Sequence, residues 1–150
     1  MIATSLMIAG AINGQGSFLT TLVFFVLGQL LLILFARFHA MLTPYDDHAE
    51  IENDNVAAGA YLGLSMVALG VIVLKATAGD FVSWTYNLFW FSAYAVLGFL
   101  GVAVLQKLIA MVFLSCACME DEISRDRNIN VAWVGGTLSI GIAAMIFVLL

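Results

Sequence analysis

The chain has 150 residues, of which 63% are hydrophobic and only 10% charged, and its mean hydropathy is +1.08. Soluble domains carry about 25% charged residues, so a water-soluble globule is excluded. Two cysteines exclude a disulfide scaffold, and five Lys+Arg against ten Asp+Glu disfavour nucleic-acid binding.

There remains an all-α, polytopic membrane protein of one small domain. A spanning helix needs roughly 20 mostly apolar residues to cross about 30 Å of hydrocarbon, and the charges divide this chain into four such stretches. Residues 1–16 come first, apolar but too short to span, and without the basic start or the spacing of a cleavable signal. Asn13-Gly14-Gln15-Gly16 separates them from the first span, because adjacent glycines disfavour continuous helix. This segment is expected to lie in the membrane interface or to form a short helical cap.

The first span covers residues 17–36 and closes at Arg37, with Phe38 to Leu42 still apolar. Pro44-Tyr45-Asp46 reads as the turn that ends it. The loop after this turn holds Asp46, Asp47, His48, Glu50, Glu52 and Asp54. Oxygen-rich clusters bind Ca²⁺ or Mg²⁺, and a histidine suits transition metals. The spacing here lacks a calcium loop's central glycine and terminal glutamate, so a solvated acidic loop is expected and no metal.

The second span, residues 56–74, ends at Lys75, and the turn Ala76-Thr77-Ala78-Gly79-Asp80 leads into the third, residues 81–106. Trp84, Tyr86 and Trp90 read as an aromatic belt at the interface. Apolar sequence continues past Lys107 to Met119. Either the helix projects from the bilayer or it tilts and draws Lys107 inside; projection is preferred, because the lysine then snorkels. Cys116 and Cys118 are read as small buried hydrophobes. The fourth span is residues 129–150.

Orientation follows the Lys/Arg bias. Arg37, Lys107, Arg125 and Arg127 flank the loops at 38–55 and 119–128, and Lys75 stands alone on the other side. Both loops are therefore expected in the cytoplasm and both termini outside.

The chain also echoes itself. Glu50-Ile51 leads through charged residues to Asn55-Val56, and Glu122-Ile123 leads likewise to Asn128-Ile129. Aligning the two asparagines aligns Gly63 with Gly136, and Gln29 and Gln106 fall in comparable places. Two tandem helical hairpins are expected, residues 17–79 and 80–150, related by a pseudo-two-fold axis along the membrane normal, the parallel kind of repeat.

Thr43-Pro44-Tyr45-Asp46-Asp47, Glu50-Ile51 and Asn55-Val56-Ala57-Ala58 together resemble the YjfL-like family of small bacterial integral membrane proteins. The likeness covers about residues 17–150. The second half departs from it, with Asn130 where Ala57 stands and no Pro-Tyr-Asp turn. The resemblance implies the topology and a bacterial inner membrane but no activity, the family being a domain of unknown function. It also implies a cytoplasmic peripheral partner of the phage-shock-protein-A-like kind.

Several residues are candidates for function. Asn55 and Asn128 start apolar helices and read as N-caps; alternatively they form a polar ring at a pore mouth. Gln29, Gln106 and Lys107 are polar groups at or near membrane depth, read as glue between helices or as part of a polar path. Gly59-x-x-x-Gly63, with Gly70, Gly98, Gly101 and Gly136, gives small faces for close helix packing. So many small faces on four short helices point to a homo-oligomer.

No nucleophile, base and orienting group can be assembled, so no enzyme and no cofactor are expected. Around the two cytoplasmic loops, residues 37–128 without Lys75 and Asp80 hold nine acids and four bases, a net −5. The favoured function is a non-catalytic, oligomeric inner-membrane component. It presents Asp46, Asp47, Glu50 and Glu52 to a peripheral partner, in membrane stress or envelope maintenance. The alternative is an oligomeric channel or transporter for ions or small cations, with acidic rings at its mouth.

Overall fold

Seven helices and no strand form among residues 1–12, 17–113 and 119–150, the part of the chain that the computed structural model describes. Four of them are long and apolar enough to cross a membrane: α2 (Phe18–Leu42), α4 (Val56–Thr77), α5 (Trp84–Phe113) and α7 (Ile129–Leu149). Even the shortest of these, α7 with 21 residues, extends about 31 Å at about 1.5 Å per residue. The three short helices are α1 (Ile2–Ile12), α3 (Asp47–Glu52) and α6 (Met119–Ser124).

Local chemistry sets where the long helices begin. Ser17 caps α2 in a reciprocal box: its hydroxyl accepts from the Thr20 amide at 3.3 Å, and the Ser17 amide donates to the Thr20 hydroxyl at 3.2 Å. Asn55 and Asn128 cap α4 and α7. α2 ends at Leu42, just before the Thr43-Pro44 step that cannot continue it.

α4 is the hub, in contact with α1, α2, α5 and α7. α7 runs beside it in the same direction: Gly135 meets Tyr61 near one end, and Lys75 reaches Phe147 near the other. α2 and α5 run the opposite way, with Gly28 against Val73, Gly98 against Ile72 and Gln106 against Tyr61. Lipid tails are as apolar as leucine, so close fit rather than water exclusion holds such a bundle. Leu30, Ile33, Leu34, Val96, Leu97 and Leu100 accordingly stay on the outside, while Phe24, Met7, Ile72 and Val73 fill the centre.

The N-terminal segment forms a short helix, α1, that packs lengthwise along α4, burying Ala3, Met7, Gly10 and Ala11 on one stripe. A Cβ on Gly70 would lie 2.7 Å from the Ala3 Cα, and one on Gly10 would lie 2.9 Å from the Leu74 carbonyl. The chain thus enters α1 beside the middle of α4, about two turns short of its end. Glycine and alanine on both helices allow this approach, in a segment too short to span. The Asn13–Gly16 break, and Cys116 and Cys118, lie outside the described residues.

Candidate functional site

Both acidic segments fold into a short helix, a left-handed residue and an asparagine cap. The left-handed residues are Asp54 (φ 57°) and Arg127 (φ 51°), each directly before its asparagine. The Asn55 amide donates to the Glu50 carbonyl at 3.0 Å, and the Asn128 amide to the Glu122 carbonyl at 2.8 Å. The side chains repeat the pairing: Asn55 Nδ2 donates to Glu50 Oε2 at 2.8 Å, and Asn128 Nδ2 to Glu122 Oε2 at 2.9 Å.

The two caps differ in reach. Asn55 is buried, and Nδ2 donates also to the main-chain carbonyls of Ile123 at 2.9 Å and Ser124 at 3.3 Å. Its Oδ1 accepts from Ala57 and Ala58. One side chain thus starts α4, holds the end of α3 and fastens α6. Below it Ile123, wholly buried, fits among Ala57, Ala58, Tyr61 and Ala132. Among the described residues the Asn128 side chain makes only its own cap, to the Asn130 amide, and the Glu122 bond.

The four expected partner-binding acids turn out to have unequal freedom. Asp46 caps α3, accepting from the His48 and Ala49 amides. Asp47 is buried; the Thr43 hydroxyl donates to its Oδ2 at 3.2 Å, and its Oδ1 has no partner among the described residues. That burial pushes its carboxyl above the ordinary range, with nearby Asp46 adding to the rise and the Thr43 bond opposing it. Glu50 is held by Asn55. Glu52 is exposed and free of the backbone among the described residues, 3.5 Å from His48 Nδ1. Among the described residues no three His, Cys, Asp or Glu side chains converge as a metal site requires.

Deeper in the bundle, Gln106 is buried on α5 and its Nε2 donates to the Tyr61 hydroxyl on α4. The His39 ring of α2 lies 5.9 Å from the Tyr61 ring. His39 Nε2 and the buried Ser65 Oγ have no hydrogen-bonding partner among the described residues. Three spans therefore contribute to one polar cluster. Sequence reasoning misses it as a unit, although Tyr61 and Ser65, four residues apart on one helix face, are its signal.

Gln29 is not brought to this cluster. It is half-buried, without a hydrogen-bonding partner among the described residues. Its neighbour Gly28 sits against Met7 and Val73, toward the opposite end of the bundle. Lys107 is exposed, and α5 runs on past it to Phe113.

The glycines divide in the same way. Gly70, Gly98, Gly101 and Gly136 are tight contacts, to Ala3, Ile72, Ile146 and Leu64 respectively. Among the described residues the Gly59-x-x-x-Gly63 face packs on no other span: a Cβ at Gly59 would meet only Ile51, at 3.8 Å, and one at Gly63 nothing within 4 Å.

No curated protein and no solved structure matches this sequence. Residues 15–150, which hold every feature above except α1, match one family. The chain belongs to DUF350, a family defined by a domain of unknown function.

Proposed function

We propose that the protein is a non-catalytic membrane component whose acidic end docks a basic peripheral protein. The observation that carries this reading is the bond from Asn55 Nδ2 to the Ile123 carbonyl. It sets the two acidic segments next to each other at one end of the bundle, where Glu52, Asp54, Asp121 and Asp126 are exposed. A clustered negative field steers a basic partner and rejects acidic ones. Asp46, Asp47 and Glu50 are tied into the caps and turns of the platform, and Glu52, Asp54, Asp121 and Asp126 make the contact.

In this reading the partner is of the phage-shock-protein-A-like kind, and the acidic end faces the cytoplasm of a bacterial inner membrane. Arg37, Lys107, Arg125 and Arg127 at that end agree with the positive-inside bias. The hairpins are tandem copies; the matched left-handed residues, asparagine caps and Asn–Glu pairs support this, as does the common direction of α4 and α7. The open Gly59–Gly63 stripe is where a second copy packs, forming the homo-oligomer.

The test is binding of a purified phage-shock-protein-A-like protein to vesicles containing either the wild type or Glu52→Lys/Asp121→Lys. Neither of these side chains caps a helix or bonds an asparagine. Salt-sensitive binding that weakens about 10-fold in the variant is expected. Equal binding to both would reject the docking reading.

A second reading, a conduit for small cations, is favoured by the unpartnered His39 Nε2 and Ser65 Oγ beside Gln106 and Tyr61. Polar groups inside a membrane bundle mark pathways. Cation flux in liposomes that disappears in Gln106→Leu would support it, and absence of flux in the wild type would exclude it.

A further inference from the structure

At the end of the bundle away from the acidic loops, the α4–α5 turn opens on a cavity of about 280 Å³. Tyr86, Trp90, Phe91 and Tyr94 line it, with Phe24 and Asp80. The rings support one another: Tyr86 meets Trp90 edge-on at 6.2 Å, and Trp90 stacks on Tyr94 at 5.4 Å.

Two charges flank this cavity, Lys75 and Asp80, the only charged residues from position 56 to position 106. Neither forms an ion pair with a described residue. Lys75 Nζ lies over the Tyr94 ring, 5.5 Å from its centroid, and over Phe147 at 5.4 Å. Asp80 is exposed at the turn.

Aromatic faces attract an ammonium group through the ring quadrupole, and a carboxylate beside them adds a hydrogen-bond acceptor for its N–H groups. Lys75, just outside the cavity and over the ring of the lining residue Tyr94, suits a phosphate. Tryptophan and tyrosine at the ends of spanning helices sit at headgroup depth. Pockets for drug-sized ligands run to roughly 300–1,000 Å³, so this cavity, just below that range, suits a group as small as a headgroup.

We propose that this cavity binds a zwitterionic amine-phosphate headgroup of the phosphatidylethanolamine type, its ammonium among the rings beside Asp80 and its phosphate at Lys75. An anionic lipid without an amine has nothing to place against the rings, and its charge is repelled by Asp80. The assignment holds whichever side of the membrane this end faces.

The test is native mass spectrometry of the detergent-solubilised protein offered equimolar phosphatidylethanolamine and phosphatidylglycerol. The wild type is expected to retain the amine lipid over the glycerol lipid by about 10-fold. Asp80→Asn is expected to bring that ratio close to one, and Lys75→Gln to weaken retention of both lipids, because both carry the phosphate. Asparagine keeps the shape of an exposed turn residue, and the wild-type ratio is decisive even if a variant misfolds. Soluble phosphoethanolamine separates the sources: displacement of the lipid means the headgroup alone suffices, and no displacement means the acyl chains are needed. Equal retention of both lipids by the wild type, or a preference that persists undiminished in Asp80→Asn, would overturn the proposal.

Discussion

Asn55 Nδ2 donates to the main-chain carbonyl of Ile123 at 2.9 Å across 68 residues of sequence. This bond joins the start of α4 to the end of α6, so a helix cap also serves as a tertiary fastening. Among the described residues the equivalent group of Asn128 reaches only Glu122.

That asymmetry is measurable. An asparagine cap contributes about 1 kcal/mol, and a buried acceptor that loses its donor costs about 1–3 kcal/mol more. Asn55→Ala should lose about 2–4 kcal/mol of stability, and Asn128→Ala about 1 kcal/mol. Thermal unfolding of both variants in the same detergent gives the comparison, and equal losses would show that the Ile123 bond adds nothing.

Gly70 and Gly63 make a second pair, seven residues apart on α4. Gly70→Leu places a side chain where a Cβ already stands 2.7 Å from the Ala3 Cα. Backbone cannot yield as a flexible side chain can, so α1 must move away, at a cost of about 1–3 kcal/mol. Gly63→Ala meets nothing within 4 Å in the single chain and should gain up to about 1 kcal/mol from helix propensity. If Gly63→Ala instead disperses an oligomer on size-exclusion chromatography, the stripe packs against a second copy. Protease protection of the N-terminal segment reports on Gly70→Leu.

Arg127 occupies the left-handed region at φ 51°, which L-residues with a Cβ adopt only at a cost. Its side chain is exposed. Arg127→Gly should therefore raise stability by about 0.5–1 kcal/mol, the relief of strain outweighing the extra freedom of the unfolded chain. A lower melting temperature in the variant would mean that the arginine side chain holds the turn in some other way.

Asp47 carries a pH dependence. Burial raises its carboxyl above the ordinary value of 3.8, so the folded chain holds the proton more tightly than the unfolded one. Its contribution favours folding most at pH below the ordinary carboxylate value and declines as pH rises through the raised one. Asp47→Asn should flatten stability across that window and leave it unchanged or higher at neutral pH. Unfolding midpoints of wild type and variant between mildly acidic and neutral pH will show it; parallel pH curves would assign the slope to other groups.

Much of the fold is legible in the sequence because lipid imposes simple requirements. Each span must be a long uncharged helix, so Arg37, Lys75 and Lys107 mark near-boundaries that α2, α4 and α5 overrun by a few residues each. Asn55 and Asn128 are readable as caps because the orphan amides of a helix start are a local need met by a local side chain. The short helices α3 and α6 are not legible; six residues are too few to show a hydrophobic period.

The sequence by itself determined the class of protein, the four spans and the two capping asparagines. Each depends on hydropathy or on chemistry within a few residues of itself. Only the tertiary structure decided that α1 inserts along α4, and that Gly70 is crowded while Gly63 is open. It also decided that Asn55 reaches Ile123, and that Gln106 finds Tyr61 while Gln29 finds no partner among the described residues. Those outcomes depend on which helix stands opposite. In an apolar solvent almost every helix face is equally hydrophobic, so neither hydropathy nor periodicity distinguishes a contact from a lipid-facing surface.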